Sequence, residues 1–268
     1  MPLLQVISFH ITAAASALRM NVKESIEVTT MAKIIGVIPP ADLFNMEKST
    51  MSDVYNIRNN YIKRVAEAGA LPMGAAPVDG WLSAEALSVF DGYIVQGGGE
   101  FWPYHYQVIH DAVENHKRYL GICLGEQLIH SYFVLRKVVE ERGYEGDLVQ
   151  AIWRFRSDPD CIKTLEPVEG HRYGAMTRGG EDVAKHDVTV VPGTILHRLV
   201  GRDVVRAASY HNLHVPADRT PLTINAWAAD GSGVVEGVEY APNILGVQFH
   251  PEVDDLLPEI FRFLTEEA

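Results

Sequence analysis

Between Ile34 and Glu141, short β-rich runs alternate with longer segments of helical period, and this alternation constrains the fold more than any other feature of the chain. Parallel neighbours need a crossover of a dozen or more residues, so strand–helix–strand order selects βαβ units. Ile34 to Ile38 reads as a first buried strand. From Asn56 to Ala68, the residues Ile57, Tyr61, Val65 and Ala68 share one helical face, and Gly69 stands where a C-cap belongs. Further strands are expected near Leu71 to Met73, Gly92 to Gln96 and Tyr119 to Ile122. Between them lie an amphipathic stretch from Leu82 to Phe90 and helices from Tyr106 to His116 and from Glu126 to about Glu141. From Val188 onward the pattern changes to shorter strands between Gly, Pro and Asp turns: Val188 to Val191, Val204 to Ala207, Leu222 to Ala228, Val234 to Tyr240 and Ile244 to Phe249. The expected class is α/β, a mostly parallel central sheet flanked by helices.

Composition narrows the function classes. With 268 residues, 47% of them hydrophobic, the chain can bury a sizeable core. A formal net charge of −12 opposes a phosphate-tracking surface, so no nucleic-acid partner is expected. Two cysteines support neither a disulfide framework nor a Cys-rich zinc cluster, which fits a reducing cytoplasm. No apolar run reaches the roughly 18 residues of a spanning helix, so no membrane association is expected. The apolar stretch from Leu3 to Leu18 has no basic residue ahead of it and is interrupted by Gln5 and His10, which argues against a secretory signal. Residues 1–30 are therefore expected to be an N-terminal extension, with disorder as one option, ahead of a single domain over 31–268.

The candidate chemistry centres on Tyr119-Leu120-Gly121-Ile122-Cys123-Leu124-Gly125-Glu126-Gln127. A buried strand, a cysteine flanked two residues away on each side by glycine, and an immediate helix make the thiol form of a nucleophile elbow. The crowded turn leaves no room for side chains at the flanks, and the helix N-terminus favours a thiolate. Cys161, in Asp158-Pro159-Asp160-Cys161, has no such context and reads as structural or incidental. A cysteine nucleophile needs a base, and the base needs an orienting group. Leu245 to His250 reads as a strand ending in His250-Pro251-Glu252, where Glu252 can accept the imidazole N–H. Gly97-Gly98-Gly99 follows another strand and lacks the spacing of a nucleotide-binding loop. Backbone N–H groups at Gly98 and Gly99, with that of Leu124, are candidate donors to an oxyanion. Gln127, one turn after the cysteine, either faces the site or packs. His211 and His214 lie i and i+3 on an expected strand and point to opposite faces, so they read as a polar substrate wall and no metal is expected.

These motifs resemble the class I glutamine amidotransferase-like superfamily, and within it the gamma-glutamyl-gamma-aminobutyrate hydrolase group of the C26 cysteine peptidases. The likeness runs from Ile34 to about Phe263. It rests on the cysteine segment, on Gly246-Val247-Gln248-Phe249-His250-Pro251-Glu252, on Gln96-Gly97-Gly98-Gly99-Glu100, and on Ala208-Ser209-Tyr210-His211-Asn212. It implies a flavodoxin-like fold and a triad of Cys123, His250 and Glu252 that cleaves a gamma-glutamyl amide through a thioester. Substrate contacts are expected at Gln127, Glu100, Tyr210 and His211, and the resemblance implies no cofactor and a homodimer. Leu124 departs from the hydrolase group, which usually has Arg there, and Cys-Leu-Gly is commoner in ammonia-producing amidotransferases. The reading placed first is a free-standing gamma-glutamyl hydrolase; the alternative is a glutaminase subunit that delivers ammonia to a partner synthase.

Overall fold

The computed structural model describes residues 31–43, 46, 50–157, 165–169, 171, 185–216 and 221–267. The expected N-terminal extension over residues 1–30 and the expected structural or incidental Cys161 lie outside the described residues. In chain order the strands are β1 (Ile34–Ile38), β2 (Ala41–Asp42), β3 (Val54–Tyr55), β4 (Leu71–Gly74), β5 (Gly92–Val95), β6 (Arg118–Ile122), β7 (Glu166–Pro167), β8 (Lys185–Val190), β9 (Val204–Ala208), β10 (Leu213–His214), β11 (Thr223–Ala228), β12 (Val235–Tyr240) and β13 (Ile244–Val247). The helices are α1 (Asn59–Glu67), α2 (Ala84–Ser88), α3 (Pro103–Glu114), α4 (Leu124–Glu141), α5 (Leu148–Phe155) and α6 (Ile195–Val200), followed by a 3₁₀ segment over Pro258–Leu264.

Among the described residues, nine strands pair into one sheet in the order β4-β1-β5-β6-β13-β12-β11-β8-β9. The half from β4 to β13 is parallel throughout. The half from β13 to β9 is antiparallel, which accords with its short turn-separated strands. The fold is thus α/β and flavodoxin-like, with the parallel half extended by an antiparallel one.

Period-two alternation sends the strand side chains to two cores. Tyr93 and Val95 of β5 and Tyr119 of β6 are buried with Tyr106 and Val108 of α3, Leu128 and Tyr132 of α4, and Ile152 of α5. Ile94, Leu120 and Ile122 point the other way, into a cluster with Tyr61 and Val65 of α1, Leu196 of α6, and Ile260 and Phe263. Both faces are therefore covered, as a parallel sheet requires. Among the described residues no helix is long and apolar enough to cross a membrane.

Candidate active site

β5, β6 and β13 are adjacent and parallel, so their carboxyl ends open on one edge, where open α/β sheets hold their ligands. Each delivers a candidate group there: the Gly97 turn after β5, Cys123 after β6 and His250 after β13. Cys123 is the N-cap of α4 at φ 53° and ψ −104°, a conformation an L-residue holds only when its surroundings impose it. Here the surroundings do so. A Cβ at Gly121 would sit 2.3 Å from the Gly125 carbonyl oxygen, and one at Gly125 would sit 2.6 Å from that of Val95. The N–H groups of Glu126 and Gln127 donate to the Cys123 carbonyl, and the Cys123 N–H donates to Val247 O at 2.9 Å. The elbow is thereby tied to the strand that leads to His250.

His250 Nδ1 lies 2.7 Å from Glu252 Oε1, with both side chains buried. This leaves Nε2 as the ring nitrogen for Cys123. A Cβ on Gly97 would meet His250 Cε1 at 2.9 Å and Cys123 Cβ at 3.4 Å, so these two side chains converge on the same bare stretch of backbone. Burial alone would drive His250 neutral, but the Glu252 carboxylate and Cys123 outweigh it and hold the imidazolium well above the usual histidine range. Replacing the carboxylate by an amide removes the attraction that retains the proton. In Glu252→Gln, the alkaline limb of the kcat/KM profile, where the imidazolium is lost, should therefore move to lower pH. An unmoved limb in a pH–rate series would contradict this coupling.

A cavity of about 590 Å³ opens over Cys123, and Arg58, Gly98, Glu100, Gln127, Tyr210 and His250 are among its lining residues. Glu100 is exposed at its rim. Gln127 Nε2 donates to Leu213 O at 3.2 Å, and its amide lies 2.9 Å from that of Gln248, bracing α4 against the opposite wall. His211 also lines the cavity, but its side chain is only 1% exposed and its Nε2 faces Glu236 Oε1 at 3.4 Å. Of the expected oxyanion donors, Leu124 N–H is the first of α4, where no carbonyl of the helix can accept it. A Cβ on Gly98 would meet Leu124 Cδ2 at 2.9 Å, which brings the glycine turn alongside that residue, whereas Gly99 faces open space.

Two residues of this site escape sequence reasoning. Arg58 falls within the stretch read as helix, yet it is the extended N-cap of α1, and its Nη1 donates to Gly97 O at 2.6 Å. Tyr61 is read as an apolar-face position, but its hydroxyl accepts the Gly97 N–H at 3.0 Å. Burial first, and then the Glu252 carboxylate, hold that phenol protonated, so Tyr61 links the glycine turn to Glu252 electrostatically. Glu126 is likewise buried, and desolvation, followed by Glu236 and Cys123, pushes its carboxyl well above the ordinary range.

Residues 50–256 match the family model of class I glutamine amidotransferases. The chain belongs to that family. Among curated relatives of this class I glutamine amidotransferase is a CTP synthase of Thermus thermophilus, 29% identical over 200 residues, which make up 64% of this chain and 34% of that one. The CTP synthase of Borreliella burgdorferi is 25% identical over 258 residues, covering 88% of this chain and 47% of that one. The amidotransferase chain thus spans less than half the length of these relatives. The glutaminase domain of Trypanosoma brucei CTPS with bound acivicin superposes with a TM-score of 0.62 at 17% identity, over 87% of this chain and 93% of that domain, a likeness of fold. These relatives bear the superfamily out and do not single out the gamma-glutamyl-gamma-aminobutyrate hydrolase group.

Proposed function

We propose that this chain is a glutaminase that cleaves the side-chain amide of glutamine and supplies the ammonia to a synthase partner. The observation that supports it most is the seating of Cys123 on a strained elbow at the carboxyl edge of the sheet, against the buried His250–Glu252 pair. The sequence alone ranks a free-standing gamma-glutamyl hydrolase first. The CTP synthases among the relatives, and the glutaminase domain that shares the fold, favour the second reading.

In this reading the Cys123 thiolate attacks the amide carbon of glutamine. The oxyanion forms beside the N–H groups of Leu124 and the Gly98 turn, which are positioned before the reaction begins. His250 gives its proton to the departing nitrogen, ammonia leaves, and a glutamyl thioester remains on Cys123. His250 then takes a proton from water, the resulting hydroxide attacks the thioester, and glutamate is released with the thiolate restored. Glu252 keeps the imidazole ring in register throughout. The Arg58 guanidinium at the cavity wall is the cation suited to the substrate carboxylate, and Glu100 at the rim is suited to its ammonium.

Ammonia and amine release should be measured on glutamine and on a panel of N-substituted gamma-glutamyl amines, with and without a synthase that lacks its own glutaminase domain. Glutamine should be the faster substrate, and its turnover should rise about tenfold or more with the partner. Faster cleavage of a substituted amide by the chain alone would overturn the glutaminase reading in favour of the hydrolase.

A further inference from the structure

We infer that His171, His186, His211 and Glu236 form a tetrahedral site for a zinc-like divalent ion, which fastens the Tyr210–Leu213 wall of the cavity to the antiparallel half of the sheet. The four residues come from separate segments: His186 from β8, Glu236 from β12, His211 from the turn after β9, and His171 from the segment that follows β7. One potential ligand atom from each lies within 4.8 Å of all the others.

The distances have the scale of a coordination shell. Glu236 Oε1 is 3.0 Å from His171 Nδ1 and 3.4 Å from the Nε2 atoms of both His186 and His211. An ion holding nitrogen and oxygen ligands at about 2.0–2.1 Å in a tetrahedron sets neighbouring ligand atoms about 3.3 Å apart. A plain hydrogen-bonded cluster fits less well. The three ring nitrogens and both Glu236 oxygens are buried and make no hydrogen bond of acceptable geometry among the described residues. Glu236 is 0% exposed, and a carboxylate left so deep without an aligned donor is costly. A cation at the point where the three rings converge removes that cost.

The surroundings of His211 point the same way. Its Nδ1 lies 3.1 Å from Leu213 O, so that nitrogen carries the proton and the Nε2 lone pair is left aimed at the cluster. Metal-ligating histidines are commonly oriented in this way, the far N–H donating to a backbone carbonyl. The His171 carbonyl accepts both the His211 N–H at 3.1 Å and Ser209 Oγ at 2.8 Å, which closes the ligand segments on each other. His214, the i+3 neighbour, is not part of the cluster; its Nδ1 lies 3.1 Å from Val215 O. Three imidazoles and one carboxylate suit zinc among the common divalent ions, and four protein ligands leave no open position, the mark of a structural site. The Gln248 N–H donates to Glu236 O at 2.9 Å, so the ion would brace the strand ending three residues before His250 without touching the reacting atoms.

The test uses the full chain, produced without a metal-affinity step. Elemental analysis by mass spectrometry should find about one zinc-class ion per chain, and cobalt added to chelator-treated protein should give the intense visible bands of a tetrahedral nitrogen–oxygen site. His186→Ala and Glu236→Gln should each weaken cobalt binding by more than the ~10–100-fold typical of losing an outer-shell partner. Should the alanine variant fail to fold, the wild-type cobalt titration decides by itself. A folded wild-type chain that binds neither zinc nor cobalt at micromolar concentration, or that gives only the weak bands of six-coordinate cobalt, overturns the site.

Discussion

Cys123→Ala should lower glutamine kcat/KM by about 10⁴–10⁶-fold while the protein stays folded and continues to bind substrate. At 1.36 kcal/mol per decade this is a loss of roughly 5–8 kcal/mol of transition-state stabilisation. The size follows from the proposed route. The thioester divides one difficult hydrolysis into two easier steps, and no neighbouring group can replace the sulfur. The positioned N–H groups remain in the variant and supply whatever residual rate survives. Stability should hardly change, because alanine occupies the same backbone position, φ 53°, and deletes a single atom at a site 7% exposed. KM should change little, since Arg58, Gln127 and the Tyr210–Leu213 wall are untouched. His250→Ala should be similarly severe, and the double variant should be no worse than either single one, because the two groups act as a unit. The measurement is ammonia release under saturating and limiting glutamine, beside a thermal melt of each variant. Residual activity within tenfold of wild type would place the nucleophile elsewhere and remove the basis for the glutaminase reading.

What the sequence could reveal here divides along the line between local and long-range information. β1 is legible to the residue, because Ile34–Ile38 is a fully apolar run bounded by polar and proline positions. The elbow is legible because its cause is local: Gly121, Cys123 and Gly125 are crowded by one another and by the strand beside them. His250 and Glu252 are legible as a pair because a single residue, Pro251, separates them. The start of α3 is read three residues late, since Pro103 occupies its first turn and is itself the helix-start signal. α5 and α6 are missed although Asp147 and Thr194 cap them through side-chain acceptance of the Gln150 and His197 N–H groups. At eight and six residues these helices are too short for a periodic pattern to stand out. Strand direction in the second half is carried by the short connections between neighbouring strands, such as residues 229–234 between β11 and β12, and the apolar pattern of each strand taken singly does not report it. Arg58, Tyr61 and the His171–His186–His211–Glu236 cluster lie beyond the sequence for one shared reason. Their meaning is created by segments far apart in the chain, and no fixed spacing carries it.

Gly121→Ala should be the most destabilising single methyl addition around the site, costing about 3 kcal/mol and lowering the melting temperature by roughly 6–12 °C. The new Cβ would lie 2.3 Å from Gly125 O, 2.4 Å from Gly125 C and 2.8 Å from Glu126 N, all backbone atoms that open the first turn of α4. No rotamer change relieves such a clash, so β6 and α4 must separate. Gly125→Ala should be nearly as severe, with Val95 O at 2.6 Å, whereas Gly99→Ala meets nothing within 4 Å and serves as the neutral control. The same displacement carries the proposed nucleophile with it, because Cys123 sits between the two elements being forced apart. The folded fraction of Gly121→Ala should therefore lose about 10²-fold in kcat, as a shift near 1 Å does to reacting groups in a positioned site. Melting curves and active-site-normalised rates read the two effects separately. A Gly121→Ala protein that melts within about 2 °C of wild type would show that the elbow is looser than these distances imply. If the stability falls and the normalised rate does not, the glycines serve the packing of β6 on α4, and the placement of Cys123 does not depend on them.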